Sequence, residues 1–234
     1  MLMAKPRKTV LFIVEGCSDK TALERIFRKI YNSNREIEFR VTNGDITSDK
    51  NVTTDNVCEK INELVLEFLH VSKLNKNDIY QIIQILDMDG VFVDDSAIHK
   101  GQTSEIEYTT TTMACNNPDK IRVRNARKSA IINFLLTQKE VASRPYEMYF
   151  MSCNLDHALY NEQNLDPDKK QEYADLFYEK FIDKERVFID FLKSDVANGV
   201  PDSFPESWKY IKKDLHSLER HSNLHIYFTQ HPVM

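Results

Sequence analysis

The stretch "KTVLFIVEGCSDKTALERIF" spans residues 8–27 and combines two hydrophobic periods. Its first part is a continuous run of branched and aromatic residues that ends at Glu15 and Gly16, which predicts a buried strand. Its second part repeats apolar residues at helical spacing from Ala22 onward, with Ser18 as the predicted N-cap. The stretch therefore predicts a strand, a tight turn and a helix, with an acidic residue at the end of the strand.

The same alternation continues downstream. Residues 35–45 alternate apolar and polar side chains and break at Asn-Gly, which predicts a strand followed by a turn. Residues 53–74 have the pattern of an amphipathic helix, and residues 78–86 predict a strand that leads into Asp87. The order β-α-β-α-β is typical of a parallel sheet with helices on both faces. Ligands bind beyond the carboxyl ends of the strands in such sheets.

Three further segments complete the predicted core. They are a loop with a short strand at 101–117, a helix at 119–140 and a fourth strand at 144–154. Helices at about 167–194 and 205–219 then dominate the C-terminal third. We therefore expect an α/β core of about four parallel strands over residues 1–155. Residues 156–234 are expected to form a mainly helical C-terminal extension packed on that core.

Composition narrows the functional classes. The chain has 234 residues, 41% of them hydrophobic, which is enough for a substantial core. No apolar run approaches the ~20 residues needed to span a bilayer, and no secretion signal is evident at the start, so a cytoplasmic protein without a membrane partner is expected. The four cysteines form no C-x-x-C pair, which argues against a zinc framework. A net charge of −5 counts mildly against a nucleic-acid binder, although local basic patches matter more than the total.

A second acidic strand end lies in "IIQILDMDGVFVDDSAIH", residues 82–99. An isolated D-x-D is most often a solvated acidic turn. Here it follows a buried apolar run, and Glu15 supplies another carboxylate at a neighbouring strand end. Hard divalent cations prefer several oxygen ligands of this kind, and a cation relieves the repulsion between Asp87 and Asp89. The two stretches together predict a divalent-cation site.

These stretches carry a resemblance to a known family. "VLFIVEGCSDKTALERIF" resembles the first motif of Toprim domains, "IIQILDMDG" resembles their D-x-D motif, and "RVTNGDI" is similar to the intervening second strand. The resemblance covers roughly residues 8–155. Within that superfamily the chain most resembles the small RloB-like and OLD-related Toprim proteins of bacterial abortive-infection and phage-defence systems. "SCNLDHALY" and "HSNLHIYF" are similar to later segments of that group.

The resemblance implies a Toprim-like, Rossmann-like fold and an endonuclease that uses Mg²⁺ or Mn²⁺. Its substrate would be DNA or RNA, with tRNA among the candidates. Glu15 would be a metal ligand or the general base, and Asp87 and Asp89 would be metal ligands. Asp19 and Asp156 would be further metal ligands, and Asp156 lies where relatives often carry the longer side chain of a glutamate. Candidate partners are a defence-system ATPase or a second identical subunit.

One departure from the family pattern concerns the D-x-D motif. Topoisomerases of the superfamily carry a further aspartate two residues after it, whereas this chain has Val91 there. Only a two-aspartate version of the motif is present.

Two alternatives remain open from the sequence. "LDMDGVFVDD" also resembles the first motif of haloacid-dehalogenase-type phosphatases, in which Asp87 would be the nucleophile, Asp89 the acid–base partner and Ser152 the second-motif hydroxyl. Against this, the one G-D-x-x-x-D string, at 44–49, lies upstream, and Glu15 is left without a role. The other alternative is a non-catalytic Toprim subunit that acts only with an ATPase trigger.

A basic cluster on the predicted helix at 119–140 is the candidate nucleic-acid contact. It comprises Lys120, Arg122, Arg124, Arg127 and Lys128. Such side chains contact phosphates without reading sequence, and the alternative is an ordinary solvated helix face. His157, beside Asp156, is interpreted as a structural histidine.

Overall fold

A computed structural model describes residues 8–31 and 35–232. The strands are β1 (Thr9–Val14), β2 (Glu36–Val41), β3 (Ile79–Asp87), β4 (Ile98–Lys100), β5 (Glu107–Tyr108), β6 (Met113–Cys115), β7 (Glu140–Val141), β8 (Arg144–Ser152) and β9 (His221–Ser222). The helices are α1 (Cys17–Ile30), α2 (Val57–Ser72), α3 (Pro118–Leu135), α4 (Leu155–Tyr160), α5 (Lys170–Phe181), α6 (Glu185–Phe191), α7 (Phe204–Ile211) and α8 (Leu224–Gln230).

The main sheet has the order β2-β1-β3-β8-β7, and β9 also pairs with β8. Strands β2, β1, β3 and β8 run parallel, while β7 and β9 are antiparallel to β8. The predicted α/β class is confirmed as a mixed, mostly parallel sheet with helices. A second, smaller sheet of order β4-β6-β5 lies between β3 and α3 in the chain.

Both faces of the main sheet are covered, which explains why β1 is apolar at every position from Val10 to Val14. Val10, Phe12 and Val14 belong to a core cluster shared with α1, α5 and α8. Leu11 and Ile13 point to the opposite face and belong to a cluster shared with α2, α3 and α7. Side chains alternate between faces along a strand, so a strand buried on both faces reads as one continuous apolar run.

Several predicted helices end earlier or begin elsewhere. Helix α1 begins at Cys17 with Gly16 as its N-cap residue, not with the predicted cap Ser18. The predicted helix at 167–194 divides between α5 and α6, where Asp183 adopts a φ of 57°. A residue with positive φ cannot continue a right-handed helix. The predicted helix at 205–219 ends at Ile211 and gives way to turns.

The C-terminal residues take part in the main sheet. Met151 of β8 pairs with Ser222 of β9, and α8 packs in the cluster that contains β1. The region predicted as an extension therefore completes the sheet as well as covering it. No helix in the described part of the chain is long and apolar enough to cross a membrane.

Candidate active site at the carboxyl edge of the sheet

The first and third strands deliver two carboxylates to the same edge of the sheet. Glu15 directly follows β1, and Asp87 is the last residue of β3, the neighbouring parallel strand. The Glu15 Oε1 atom accepts a hydrogen bond from the Asp87 backbone N–H at 3.2 Å. The two acidic strand ends that the sequence separates by some seventy residues are thus in direct contact.

Asp89 lies in a tight turn that leads the chain away from this edge. Its φ is 50° and that of Gly90 is 65°, and its backbone N–H donates to the Cys153 carbonyl at 2.6 Å. A Cβ at Gly90 would lie 2.6 Å from Met113 Sδ and 2.7 Å from Leu218 Cδ2. Glycine is therefore required at this position both by the backbone and by the space around it.

A buried lysine neutralises one side of the site. The Nζ atom of Lys128 lies 2.7 Å from Asp45 Oδ2 and 2.8 Å from Asp89 Oδ2, and its side chain is 0% exposed. Lys128 was expected among the side chains that contact phosphates, with a solvated helix face as the alternative. Neither describes its position here, because α3 turns this buried side chain towards the carboxylates. Burial alone would disfavour the ammonium ion, but the charges of Asp45, Asp89 and Glu15 outweigh it and raise the pKa of Lys128.

Asp45 was not among the predicted site residues. It follows the turn after β2, and its carboxylate also accepts hydrogen bonds from the Thr47 N–H at 2.7 Å and hydroxyl at 2.6 Å. Burial would raise its pKa, but the charge of Lys128 and these hydrogen bonds lower it to about 2. The available signal was the pair Gly44-Asp45 at the end of a predicted strand, which also has the ordinary meaning of turn chemistry.

The other side of the site also gathers carboxylates. Asp19, in the first turn of α1, accepts the Gly16 N–H at 2.8 Å. Asp156, in the first turn of α4, pairs through Oδ2 with Lys170 at 2.7 Å, while its buried Oδ1 has no hydrogen-bond partner. Asp87 Oδ1 accepts the Leu155 N–H at 2.8 Å, which places Asp87 at the start of the same helix. All five predicted acidic residues therefore lie around the ends of β1 and β3 or the adjoining helix starts.

This crowding changes how readily the carboxyls ionise. Burial raises the pKa of Glu15 well above its usual value, and the charges of Asp45 and Asp87 add to the effect. Burial, followed by the charges of Asp19 and Asp89, likewise raises the pKa of Asp87. Burial, with Asp156 nearby, raises the pKa of Asp19 to about 6. The site therefore contains more carboxyl groups than its two lysines could balance if all of these groups were ionised.

The carboxylates at this edge are the type of ligand that a hard divalent cation prefers. Every candidate ligand is a carboxylate oxygen, and the buried Oδ1 of Asp156 lacks a partner. As packed, however, no group of three or more His, Cys, Asp or Glu side chains among residues 8–31 and 35–232 is arranged to hold a metal. Asp89 is turned towards Lys128 and Asp156 towards Lys170. A cation held by Asp89 or Asp156 would require that carboxylate to turn from its lysine.

Besides Lys128, two more of the predicted basic residues contact the site or its surroundings. Arg124 donates from Nη2 to the Asp89 carbonyl at 2.7 Å, so its guanidinium is fixed behind the D-x-D turn. Arg127 donates from Nη2 to the Ser48 carbonyl at 2.5 Å, in the segment after Asp45. Both arginines are partly buried, and both connect α3 to a loop that carries a site aspartate.

The remaining two predicted basic residues lie further out. Arg122 forms an ion pair with Asp119 at 2.8 Å and donates to the Ile98 carbonyl at 3.2 Å, and Lys120 is exposed. The predicted basic cluster is therefore not one uniform surface, because its members range from the fully buried Lys128 to the exposed Lys120.

Two residues considered from the sequence have structural roles. Ser152 is buried, and its hydroxyl donates to the His216 carbonyl at 2.8 Å, so it is not directed at Asp87 as a phosphatase hydroxyl would be. His157 Nδ1 accepts the Cys153 N–H at 3.2 Å, and burial with the charge of Arg220 lowers its pKa to about 4. Both side chains hold the segment between β8 and α4 in place.

Comparisons with protein-family models, with curated proteins and with solved structures found no significant match. The function is therefore inferred from the site itself.

Proposed function

We propose that this carboxylate cluster is the active site of a divalent-metal-dependent endonuclease with a Toprim-like core, which cleaves phosphodiester bonds in DNA or RNA. The observation that carries the proposal is the contact between Glu15 and Asp87 at neighbouring strand ends, where burial and further carboxylates raise both pKa values. A bound cation relieves such repulsion, and parallel sheets place their ligands at this edge.

Glu15 and Asp87 are the proposed ligands of Mg²⁺ or Mn²⁺, with Asp89, Asp19 and Asp156 as further ligands or partners of bound water. The bound metal would activate water and neutralise charge on the scissile phosphate. Hydrolysis would join a water oxygen to phosphorus and break the bond to the departing sugar oxygen. Glu15 would accept the proton of the water, and the sugar oxygen would take up a proton from solvent. Two cations hold Asp89 in place: the ammonium of Lys128 pairs with its carboxylate, and the guanidinium of Arg124 donates to its backbone carbonyl.

The cellular context rests on the sequence resemblance alone. The motifs around Glu15 and Asp87 resemble those of abortive-infection proteins, which supports an effector role in anti-phage defence. An ATPase or a second copy of this chain would then be the partner. The non-catalytic alternative differs in one respect: the isolated chain would not cleave any nucleic acid.

The test is cleavage of labelled DNA and tRNA by the purified protein with Mg²⁺ or Mn²⁺, compared with chelator. Glu15→Gln keeps the size and hydrogen-bonding oxygen of the side chain but removes its charge, and it should lower the cleavage rate by about 100-fold or more. Glu36→Gln, at an exposed position of β2, is the matched control and should cleave like the parent. Equal cleavage by Glu15→Gln and the parent would refute the assigned site.

The phosphatase alternative predicts a covalent intermediate on Asp87. Beryllium fluoride or a labelled phosphate should then be retained on that residue and lost in Asp87→Asn. The buried, engaged hydroxyl of Ser152 counts against this chemistry. Capture of phosphate on Asp87 would replace the nuclease proposal.

A further inference from the structure

A basic cavity lies beside the carboxylate cluster. Its volume is about 600 Å³, and it is bounded by α3, by the small sheet and its loops, and by the segment around Ser48. Lys50, Lys120, Arg124 and Arg127 line it, and none of its described lining residues is acidic. In a chain with a net charge of −5, this concentration of positive charge marks a site for an anionic group.

The walls of the cavity are tied to the acidic cluster. Arg124 lines the cavity and also donates to the Asp89 carbonyl at 2.7 Å. Arg127 is held by the Ser48 carbonyl, and its buried Nε has no hydrogen-bond partner. Lys128, which pairs with Asp45 and Asp89, directly follows Arg127 on α3. A ligand in the cavity would therefore contact Arg124, which also holds the turn that carries Asp89.

The rest of the lining is suited to an aromatic, hydrogen-bonding group. Ile106, Ile121 and Val123 supply apolar surface, while Asn116, Asn117 and Ser104 supply amide and hydroxyl groups. The volume falls within the range of roughly 300–1,000 Å³ that is usual for pockets of small organic ligands. A phosphate alone needs neither this volume nor the apolar surface, whereas a nucleotide uses both.

We propose that this cavity receives one unpaired nucleotide adjacent to the scissile bond, so that the substrate is a single strand or a single-stranded loop. This inference rests on the proposed function for its position relative to the cleaved bond. The nucleotide's phosphate contacts the arginines and lysines, its base lies against the apolar side chains, and the amides meet the base edge. Bases in a duplex are stacked and paired, and they cannot enter a cavity unless they are displaced.

Binding, measured apart from cleavage, tests this inference. The protein carries Glu15→Gln so that substrate survives, and the probes are short fluorescent DNA and RNA strands, free or annealed to their complements. The single strands should bind at least about tenfold more tightly than the duplexes, since unpaired bases gain contacts that paired bases lack. The mononucleotide should compete for the probe at lower concentration than inorganic phosphate does.

Charge reversal locates the binding. Lys50→Glu with Lys120→Glu should weaken single-strand binding by about tenfold or more, because both cations line the cavity. Lys209→Glu with Lys213→Glu changes the net charge equally at exposed positions outside the described cavity lining, and it should have a much smaller effect.

Three results would overturn the inference: equal binding of strands and duplexes, equal competition by phosphate and mononucleotide, or equal losses in the two charge-reversed variants. Glu15-dependent cleavage accompanied by any of these would leave the nuclease standing and remove the cavity's role. Cavity-dependent binding of single strands without metal-dependent cleavage would keep the cavity as a nucleotide-binding site and refute the nuclease.

Discussion

The acidic cluster has two sides that differ in how their charge is balanced. On the lysine side, defined by Asp45, Asp89 and Lys128, a fully buried ammonium pairs with two carboxylates and the pKa of Asp45 falls to about 2. On the open side, defined by Asp19 and Asp87, burial outweighs the available positive charge and both pKa values rise. Similar carboxylates at one sheet edge therefore differ in ionisation, because Lys128 pairs directly with Asp45 and Asp89, whereas burial dominates at Asp19 and Asp87.

Under the proposed function, this difference indicates which side of the cluster would bind the metal ion. The lysine side is balanced by its own residues, so a metal ion there would have to displace Lys128. The open side lacks such a balance, and a divalent ion would stabilise its ionised carboxylates directly. The predictions below separate the two sides by stability, by pH dependence and by response to metal.

Removing the buried lysine should have the largest effect. Lys128→Met leaves Asp45 and Asp89 without their ion pair, and breaking a buried pair in this way costs about 3–5 kcal/mol of unfolding free energy. Urea denaturation at neutral pH measures the loss. Lys60→Met removes a lysine from an exposed pair with Glu63 and should leave the denaturation midpoint unchanged.

A double variant checks the cause of that loss. Adding Asp45→Asn to Lys128→Met removes one of the stranded charges and should restore part of the stability. If the double variant is less stable than Lys128→Met by the full cost of Asp45→Asn alone, the two residues do not interact and the lysine side is wrongly described.

The pH dependence of stability should reveal the open side. The pKa of Asp19 is raised from 3.8 to about 6, so the folded state holds a proton that the unfolded chain has lost. With chelator present, the unfolding free energy should therefore fall between about pH 4 and pH 7, by up to about 3 kcal/mol for this residue. Asp19→Asn should flatten the profile in this window.

On the lysine side, the unfolding free energy should change with pH in the opposite direction and over a different pH range. Because the pKa of Asp45 is lowered to about 2, its contribution is present above the unfolded value and is lost as the pH falls towards about 2. An unchanged slope between about pH 4 and pH 7 in Asp19→Asn would show that Asp19 does not carry the excess proton.

Asp87→Asn should produce the smallest change in stability. Without metal it removes a repelled buried charge yet retains an oxygen for the Leu155 N–H, so stability should rise by about 1 kcal/mol. Mg²⁺ should raise the melting temperature of the parent, because an ion that binds only the folded state stabilises that state. It should not raise the melting temperature of Asp87→Asn, which lacks a proposed ligand. Asp94→Asn, at an exposed aspartate of the following loop, should respond to Mg²⁺ as the parent does. Equal stabilisation of Asp87→Asn and the parent by Mg²⁺ would exclude Asp87 as a ligand.

The alternation from β1 to β3 could be predicted because strands and helices have different hydrophobic periods. Buried parallel strands are continuous apolar runs, so their ends, and with them Glu15 and Asp87, are visible in the sequence. The two-residue strand β9 could not be predicted in this way, because its pairing with β8 depends on residues some seventy positions away.

The buried ion pairs of the lysine side could not be predicted from the sequence for a related reason. Lys128 lies in a run of basic residues that resembles a solvated helix face, and only its distant partners make burial of its charge tolerable. Asp45 follows Asn-Gly and is locally indistinguishable from an aspartate that stabilises a turn. Lys128 and Asp45 are 83 positions apart in the sequence, and each is stabilised in the site by its ion pair with the other.

The turn that carries Asp89 is fixed by residues synthesised long after it. Ser217 accepts the Gly90 N–H through its carbonyl at 3.0 Å and the Phe92 N–H through its hydroxyl at 3.2 Å. A nascent chain therefore displays both acidic motifs on the ribosome before it contains the segment that shapes one of them. If the proposed activity is correct, chains that end before residue 217 should cleave more slowly, because they lack the two hydrogen bonds to Ser217 that hold this turn.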